Sequence, residues 1–240
     1  MTRCAPRRSR QRRAEKWRRA AWAAVALAAA ACGPPPAPPA PAGSFVPASP
    51  GELAAAAART LPPAREQLAI RWRYDDGDTP ITGRGAVRLA PPDSLRLDVG
   101  VPIVGRATLV LAGDSVWSRP AGLVEQVLPN RSIVWAMLGV VRLPDAVTSV
   151  ERSDASDHRL WRVTAADGLT TTLELRGDTL LGATAARGGR AVGQLALTRD
   201  ATGAVVRAVT VDLEHSVRFT MDVDQRSPGG PYPSEIWRRP

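Results

Sequence analysis

The chain has 240 residues, a length that suits one folded domain, and its 32 basic and 23 acidic residues give a formal net charge of +9. Nine of the basic residues and one acid lie within residues 1–31, so the rest of the chain is nearly neutral. This distribution excludes the basic patch typical of a nucleic-acid-binding domain. The two cysteines are Cys4 and Cys32, and no His/Cys cluster in the sequence predicts a metal site.

Residues 1–31 are predicted to be a lipoprotein signal peptide. A basic segment precedes twelve apolar residues, 20–31, which match the length of a signal-peptide core. This run is shorter than the roughly 20 residues that a membrane-spanning helix needs. It ends in three alanines followed by Cys32, a pattern that resembles the bacterial lipobox, so Cys32 is the predicted site of lipidation. A cleaved secretory peptide with an incidental cysteine is the alternative.

Residues 32–48 are predicted to be the lipidated cysteine and a linker rich in proline and alanine. Six prolines within residues 33–42 favour an extended, polyproline-like spacer of about 3 Å per residue. Such a spacer would hold a folded head on the order of 30 Å from a lipid surface. Residues 49–240 are predicted to form that head as one domain, without internal repeats.

A short helix is predicted to open the domain. Ser49 is its expected N-cap, Pro50 its first residue and Glu52 the partner that completes a capping box. The alanine run that follows favours a helix, and Pro62-Pro63 end it.

Alternating apolar and polar residues predict strands through most of the remaining chain. The first strand has apolar side chains of one parity at Leu68, Ile70, Trp72 and Tyr74. Turn-forming pairs recur at short intervals and predict successive hairpins, hence an antiparallel sheet of roughly ten strands. These pairs are Asp76-Gly77, Gly113-Asp114, Asp167-Gly168, Gly177-Asp178, Gly188-Gly189 and Thr202-Gly203.

Two further predictions concern the C-terminal part of the chain. From Val209 to Val223 the residues alternate regularly, with His215 on the apolar parity. This predicts one long strand, or two with a kink at His215, and makes His215 a core or kink residue. Ser234 to Trp237 are predicted to start a further strand.

One other helix is predicted within residues 129–144, capped by Asn130 or Ser132. Val134, Met137, Leu138 and Val141 have the spacing of one helix face. Two short helices cannot cover a large, flat, one-sided sheet, so the sheet is expected to curl. The predicted fold class is therefore mainly β, with a curled antiparallel sheet that forms an unclosed β-barrel, or half-barrel, under a helical lid. Its interior either encloses a ligand cavity or is filled by its own side chains.

One hairpin has an unusual tip. Two alternating strands on either side of residues 101–105 are joined by the sequence VPIVG, which is apolar where a polar turn is expected. Proline and glycine supply the bend, but Ile103 and Val104 do not favour contact with water.

The order of elements resembles the LolA/LolB family of bacterial lipoprotein carriers, and its outer-membrane receptor branch most of all. The initial helix is followed by the sequences TGRGAVRL, DSLRLDV, VPIVGRATLVL, GDSVW and IVWAMLGV, and the resemblance covers about residues 49–225. It implies an apolar half-barrel that accepts lipoprotein acyl chains. It also implies that Pro102, Ile103, Val104 and Gly105 form a membrane-insertion loop that delivers the cargo. The alternative is that Ile103 folds back into the barrel mouth.

The resemblance further implies an acyl cavity lined by inward-facing strand residues and by the second helix. Its predicted lining consists of Leu95, Leu97, Val99, Leu109, Leu111, Trp135, Met137, Leu138, Trp161, Val163, Leu173, Leu175, Val217, Phe219 and Met221. No cofactor is predicted apart from a bound lipid or acyl chain. The predicted partners are lipoprotein cargo or lipid, a LolA-type periplasmic carrier, and the membrane through the lipid anchor, with no nucleic acid and a monomeric chain. Gly33 after Cys32 favours the periplasmic face of the outer membrane.

Other functions fit the sequence less well. Gly113-Asp114-Ser115 resembles the nucleophile block of GDSL hydrolases, but His158 and His215 do not lie in the Asp-x-x-His pattern that those enzymes need. We therefore predict no catalytic residues and no enzyme. A carrier of lipid or glycolipid, or a regulator that senses mislocalised lipoprotein, would use the same half-barrel.

Overall fold

The computed structural model describes residues 44–102, 105–113, 115–121, 131–144, 146–155 and 157–238. The helices in these ranges are α1 (Pro50–Arg59), α2 (Arg131–Met137) and a 3₁₀ helix (Ser234–Trp237). The strands are β1 (Val46–Pro47), β2 (Glu66–Asp75), β3 (Ile81–Ala90), β4 (Ser94–Val101), β5 (Gly105–Ala112), β6 (Ser115–Arg119), β7 (Val147–Asp154), β8 (Arg159–Ala165), β9 (Leu169–Arg176), β10 (Thr179–Arg187), β11 (Arg190–Arg199), β12 (Val205–Asp212) and β13 (Val217–Pro228).

All described strands belong to one antiparallel sheet in the order β1-β7-β8-β9-β10-β11-β12-β13-β2-β3-β4-β5-β6. Strands β2 to β6 form one meander of hairpins and β7 to β13 form a second, with α2 between them in the chain. The second meander joins the first where β13 pairs with β2. The sheet has 13 strands rather than the roughly ten predicted, because short segments such as β1 and β6 also pair.

The sheet curls around a shared core. Side chains from both meanders and from both α-helices form a single hydrophobic cluster. Leu68, Leu95 and Leu180, which come from three well-separated strands, are fully buried in it. The predicted fold class, a mainly β half-barrel that is not closed and carries two helices, is confirmed. The described residues between 44 and 238 thus have a hydrophobic core of their own, which is what independent folding of a domain requires.

Helix α1 begins as predicted. The Ser49 hydroxyl accepts a hydrogen bond from the Glu52 backbone N–H at 3.1 Å, and the Glu52 carboxylate accepts one from the Ser49 N–H at 3.0 Å. This reciprocal capping box satisfies two backbone donors that the first helical turn leaves without partners. The buried face of α1 consists of Leu53, Ala56 and Ala57, so the helix contacts the core largely through methyl groups.

The prediction for residues 209–223 is wrong. Residues 213–216 form a tight turn between β12 and β13, and His215 lies in this turn with 74% of its side chain exposed. The turn also changes which parity faces the core. Thr210 on β12 lies directly opposite buried Phe219 on β13. The even-numbered residues of β12 and the odd-numbered residues of β13 therefore face the inside of the sheet. Apolar and polar residues continue to alternate through the turn, so the sequence pattern does not indicate that the chain reverses there.

The two ends of the described chain also pack on the domain. Ser234 to Trp237 form a 3₁₀ helix rather than the predicted strand, and Arg96 and the Trp117 indole donate hydrogen bonds to the carbonyls of Ile236 and Trp237. At the other end, residues 46–47 pair with β7, and the Arg162 guanidinium lies 3.5 Å from the ring centre of Phe45. The last four residues of the predicted linker segment therefore contribute to the fold.

Candidate functional site: an apolar cleft beneath the helices

The inner face of the sheet holds most residues of the predicted acyl cavity. Twelve of them are buried in the hydrophobic cluster, and none of the twelve is more than 7% exposed. Val99 and Leu138 are partly buried against the same cluster. Val217, next to the turn at residues 213–216, is partly buried and is not part of it. The interior in this structure is therefore filled by its own side chains, and a ligand would have to displace some of them.

An open cleft of about 310 Å³ lies between α1 and the chain that follows α2. This volume is at the lower end of the range found for small-molecule sites. The cleft includes two of the predicted residues, Leu111 and Trp135. The remaining lining residues were not predicted: Ala54, Ala57, Ala58, Leu61, Gly113, Val141, Arg142 and Leu143. The alanine run of α1 was the signal available in the sequence, because small side chains on a lid helix leave space beneath it.

Trp135 and Arg142 give the cleft its polar character. Trp135 on α2 is 3% exposed, and the Arg142 guanidinium lies 5.2 Å from its ring centre, a cation–π contact. Among the described residues that line this cleft, Arg142 is the one with a charged side chain. The arrangement suits a ligand with an apolar chain and a polar or anionic end.

A single hydroxyl links α1 to the chain after α2. The Val141 N–H donates a hydrogen bond of 2.8 Å to Thr60 Oγ1, and that hydroxyl donates one of 2.7 Å to the Ala57 carbonyl. The two walls of the cleft are thus joined at its base. A substitution that removes this hydroxyl would loosen the connection while leaving the apolar lining in place.

The outer side of α1 is held by ion pairs at the surface. Glu52 pairs with Arg152 at 3.0 Å, and Arg59 pairs with Asp178 at 2.5 Å. The hydrogen bond from the Ser49 backbone, together with the Arg152 charge, lowers the pKa of Glu52. Exposed pairs of this kind contribute little to stability, so the helix is attached mainly by its small buried face.

The predicted insertion loop is described in part. Val101 pairs with Gly105, which has a φ of +91°, a value that favours glycine. Pro102 and Gly105 are exposed, and Val101 is partly buried against the core. Ile103 and Val104 lie outside the described residues.

A second cleft of about 340 Å³ lies beside α1, where buried Trp161 and Leu175 meet a charged rim. His158 Nδ1 lies 2.7 Å from the Asp157 carboxylate, and this contact, together with Arg176, lowers the pKa of Asp157. The charged groups of the rim thus pair with one another.

The hydrolase-like sequence lies where β5 meets β6, and its Asp114 is outside the described residues. Ala112 pairs with Ser115, and Gly113 between them has a φ of +54°, so this sequence joins β5 to β6 as a hairpin. His215 pairs with Asp212 at 2.8 Å, and that carboxylate raises the pKa of the imidazole. Within the described ranges, no group of three or more His, Cys, Asp or Glu side chains could hold a metal ion.

Two other observations bear on the site. The Trp72 indole N–H is buried at the inner face and has no hydrogen-bond partner in the part of the chain that the structure describes. Such orphan donors are rare in folded proteins. Among the helices in the described ranges, none has the length and apolar character needed to cross a bilayer.

No protein-family model matches the sequence, and no curated protein matches it significantly. A solved structure does match the fold: the LolA superfamily protein NE2245 from Nitrosomonas europaea aligns with a TM-score of 0.51 at 12% identity, covering 81% of this chain and 98% of that one. This chain has a LolA-type fold.

Two further solved structures align less closely. A domain from Vibrio parahaemolyticus assigned to outer membrane lipoprotein sorting has a TM-score of 0.43 at 7% identity, covering 77% of this chain and 94% of that one. A DUF1329 family protein from Desulfovibrio piger has a TM-score of 0.47 at 10% identity, covering 78% and 95%. The alignment with the Nitrosomonas europaea protein confirms the LolA-type fold predicted from the sequence, without distinction between carriers and receptors.

Proposed function

We propose that this protein binds lipid acyl chains as a lipid-anchored lipoprotein receptor or carrier on the periplasmic face of the outer membrane. The observation that carries the proposal is the cleft between α1 and the chain after α2, lined by apolar side chains and Arg142, above a sheet whose inner face is largely apolar. Lipidated Cys32 would be the anchor, and a LolA-type carrier would supply the cargo.

The size of the cleft sets how much of a chain it can hold. One water occupies about 30 Å³ in the liquid and a methylene group is of similar size, so 310 Å³ accommodates roughly ten carbons. A longer acyl chain would extend into the core, which requires α1 to move outward.

The free energy needed to detach α1 is comparable to the free energy gained when part of an acyl chain is buried. Burial of Leu53 contributes about 2 kcal/mol, and the methyl groups of Ala56 and Ala57 add about 0.8 kcal/mol each, so the apolar attachment of α1 is about 4 kcal/mol. Each buried methylene of an acyl chain returns about 0.8 kcal/mol. Five methylenes would therefore offset the displacement of the helix.

Release into the membrane requires no chemical energy in this proposal. A bilayer offers an acyl chain about the same apolar environment as the protein does, so transfer is nearly balanced once the two are in contact. The Cys32 anchor would provide that contact. The loop of Pro102, Ile103, Val104 and Gly105 would provide apolar contact with the bilayer surface.

The test is binding of a fluorescent fatty acid to the soluble domain, residues 43–240. Ala58 lines the cleft on the exposed side of α1, so Ala58→Trp fills the cleft and should weaken binding at least about tenfold, equivalent to about 1.4 kcal/mol. Ala55 is exposed on the same helix and does not line the cleft, so Ala55→Trp is the matched control. Equal binding by both variants would contradict the proposal.

A further inference from the structure

The outer face of the sheet carries a row of three residues that the acyl-binding proposal does not use. Gly100 on β4 pairs with Arg106 on β5. On the other side of β4, the Arg84 carbonyl of β3 lies 3.6 Å from the position that a Cβ atom on residue 100 would occupy. The neighbouring residues Val99 and Ala107 face the core. Arg84, Gly100 and Arg106 therefore face outward together, and all three are exposed.

The two arginines of this row are without an ion-pair partner among the described residues. Two acidic groups on the outer face of the sheet are already occupied. Asp98 accepts hydrogen bonds from Arg88 and Arg96, and Asp224 accepts one from Arg71. The row thus presents two uncompensated positive charges.

Gly100 leaves a gap between these charges. Adjacent strands lie about 4.8 Å apart, so Arg84 and Arg106, two strands apart, have α-carbons about 10 Å from each other. Their long side chains can converge over the glycine, which has no side chain to separate them. Two guanidinium groups that converge in this way match the oxygens of a phosphate.

The gap lies at the base of the apolar hairpin. Gly100 and Arg106 adjoin Val101 and Gly105, the residues that pair at the start of the hairpin loop. Strands β3 and β4 are antiparallel, so Ile81, which is 40% exposed, lies at the same end of the sheet. A cationic gap on the outer face, at the end of the sheet where Ile81 and Pro102 are exposed, complements the headgroup region of an anionic membrane in charge and polarity.

We infer that Arg84 and Arg106, with Gly100 between them, bind the phosphate of an anionic phospholipid and thereby dock the hairpin on an anionic membrane. The inference rests on the proposed function, because it gives the delivery loop a preferred lipid surface. The occupant is a lipid phosphate within a bilayer rather than a soluble anion. Each arginine close to an anionic surface strengthens binding several-fold, so the pair should contribute about 10- to 30-fold.

The experiment measures binding of the mature chain, from residue 33 onward, to vesicles of phosphatidylcholine with and without phosphatidylglycerol. This form leaves out both the lipid anchor and the basic signal sequence. Wild type should prefer the anionic vesicles by about tenfold or more, and Arg84→Gln/Arg106→Gln should lose the preference. Inorganic phosphate at the concentration of the lipid should not compete, because the site needs the bilayer beside it; full competition would mean that the site takes a free anion.

Gly100→Glu gives the sharpest variant. The Gly100 backbone is not in the left-handed region and a side chain there meets the Arg84 carbonyl at 3.6 Å, an ordinary contact, so the substitution adds a carboxylate between the arginines without strain. It should abolish the preference for anionic vesicles, whereas Gly100→Gln, of equal size but uncharged, should only weaken it, because its side chain occupies the gap without neutralising the arginines. Equal binding by these two variants would overturn the inference.

Fatty-acid binding separates this inference from the proposed function. Gly100→Glu should bind the fluorescent fatty acid as wild type does, since the gap lies on the outer face. Wild type that binds fatty acid without preferring anionic vesicles refutes only the inference. Wild type that prefers anionic vesicles without binding fatty acid refutes only the proposed function.

Discussion

Leu53 is the residue through which α1 can be tested as a movable lid. Its side chain is completely buried, whereas the other buried residues of the helix are alanines. Leu53→Ala removes about three carbon groups from the contact, so opening of α1 should become easier by about 2 kcal/mol and the open state about 30-fold more populated. The free energy of unfolding should fall by about 2–5 kcal/mol, as is usual for a buried leucine.

Stability and ligand access should therefore change in opposite directions. Urea unfolding measures the first, and stopped-flow binding of a fluorescent fatty acid measures the second. Leu180→Ala is the control, because Leu180 is equally buried but lies on β10 rather than on α1. It should destabilise the domain without accelerating association. If both variants change the association rate equally, α1 does not act as a lid.

Two further predictions concern the hydrogen bond that joins the two walls of the cleft and the hydrogen bonds of Asp98 on the outer face. Thr60→Val leaves the Val141 N–H without its acceptor and should lower the free energy of unfolding by about 1–3 kcal/mol, whereas Thr60→Ser should not; chemical denaturation compares them. Burial opposes ionisation of Asp98, but hydrogen bonds from Arg96 and Thr108 outweigh it and lower the pKa of this carboxyl. Its stabilising contribution is therefore present above pH about 4 and lost as the pH falls below that value, so unfolding of Asp98→Asn should depend less on pH than wild type in this acidic range.

Local sequence signals predicted the local structure well. The capping box at Ser49 forms as predicted, because it depends on residues three positions apart. Glycine-containing pairs mark hairpin turns, since residues such as Gly168 and Gly203 adopt positive φ values that other residues avoid. The apolar parity of β2 faces the core for the same reason, because alternation within one strand is a local property.

Features that depend on distant residues were not predictable. Alternation indicates which residues face inward, but whether space remains between them depends on how distant strands pack together; Leu97 and Leu173, far apart in the sequence, are both buried in the one cluster. The row of Arg84, Gly100 and Arg106 depends on the register of three strands. His215 shows the limit within a single segment, because the turn that contains it preserves the alternating pattern while it reverses the chain.

The central claim is that this domain takes up the acyl chains of lipoproteins. The most direct measurement mixes the soluble domain, residues 43–240, with a LolA-type carrier loaded with labelled lipoprotein, and follows the label. We expect the cargo to move to the domain without nucleotide and then to added vesicles. Cargo that stays on the carrier at every concentration of the domain would contradict it.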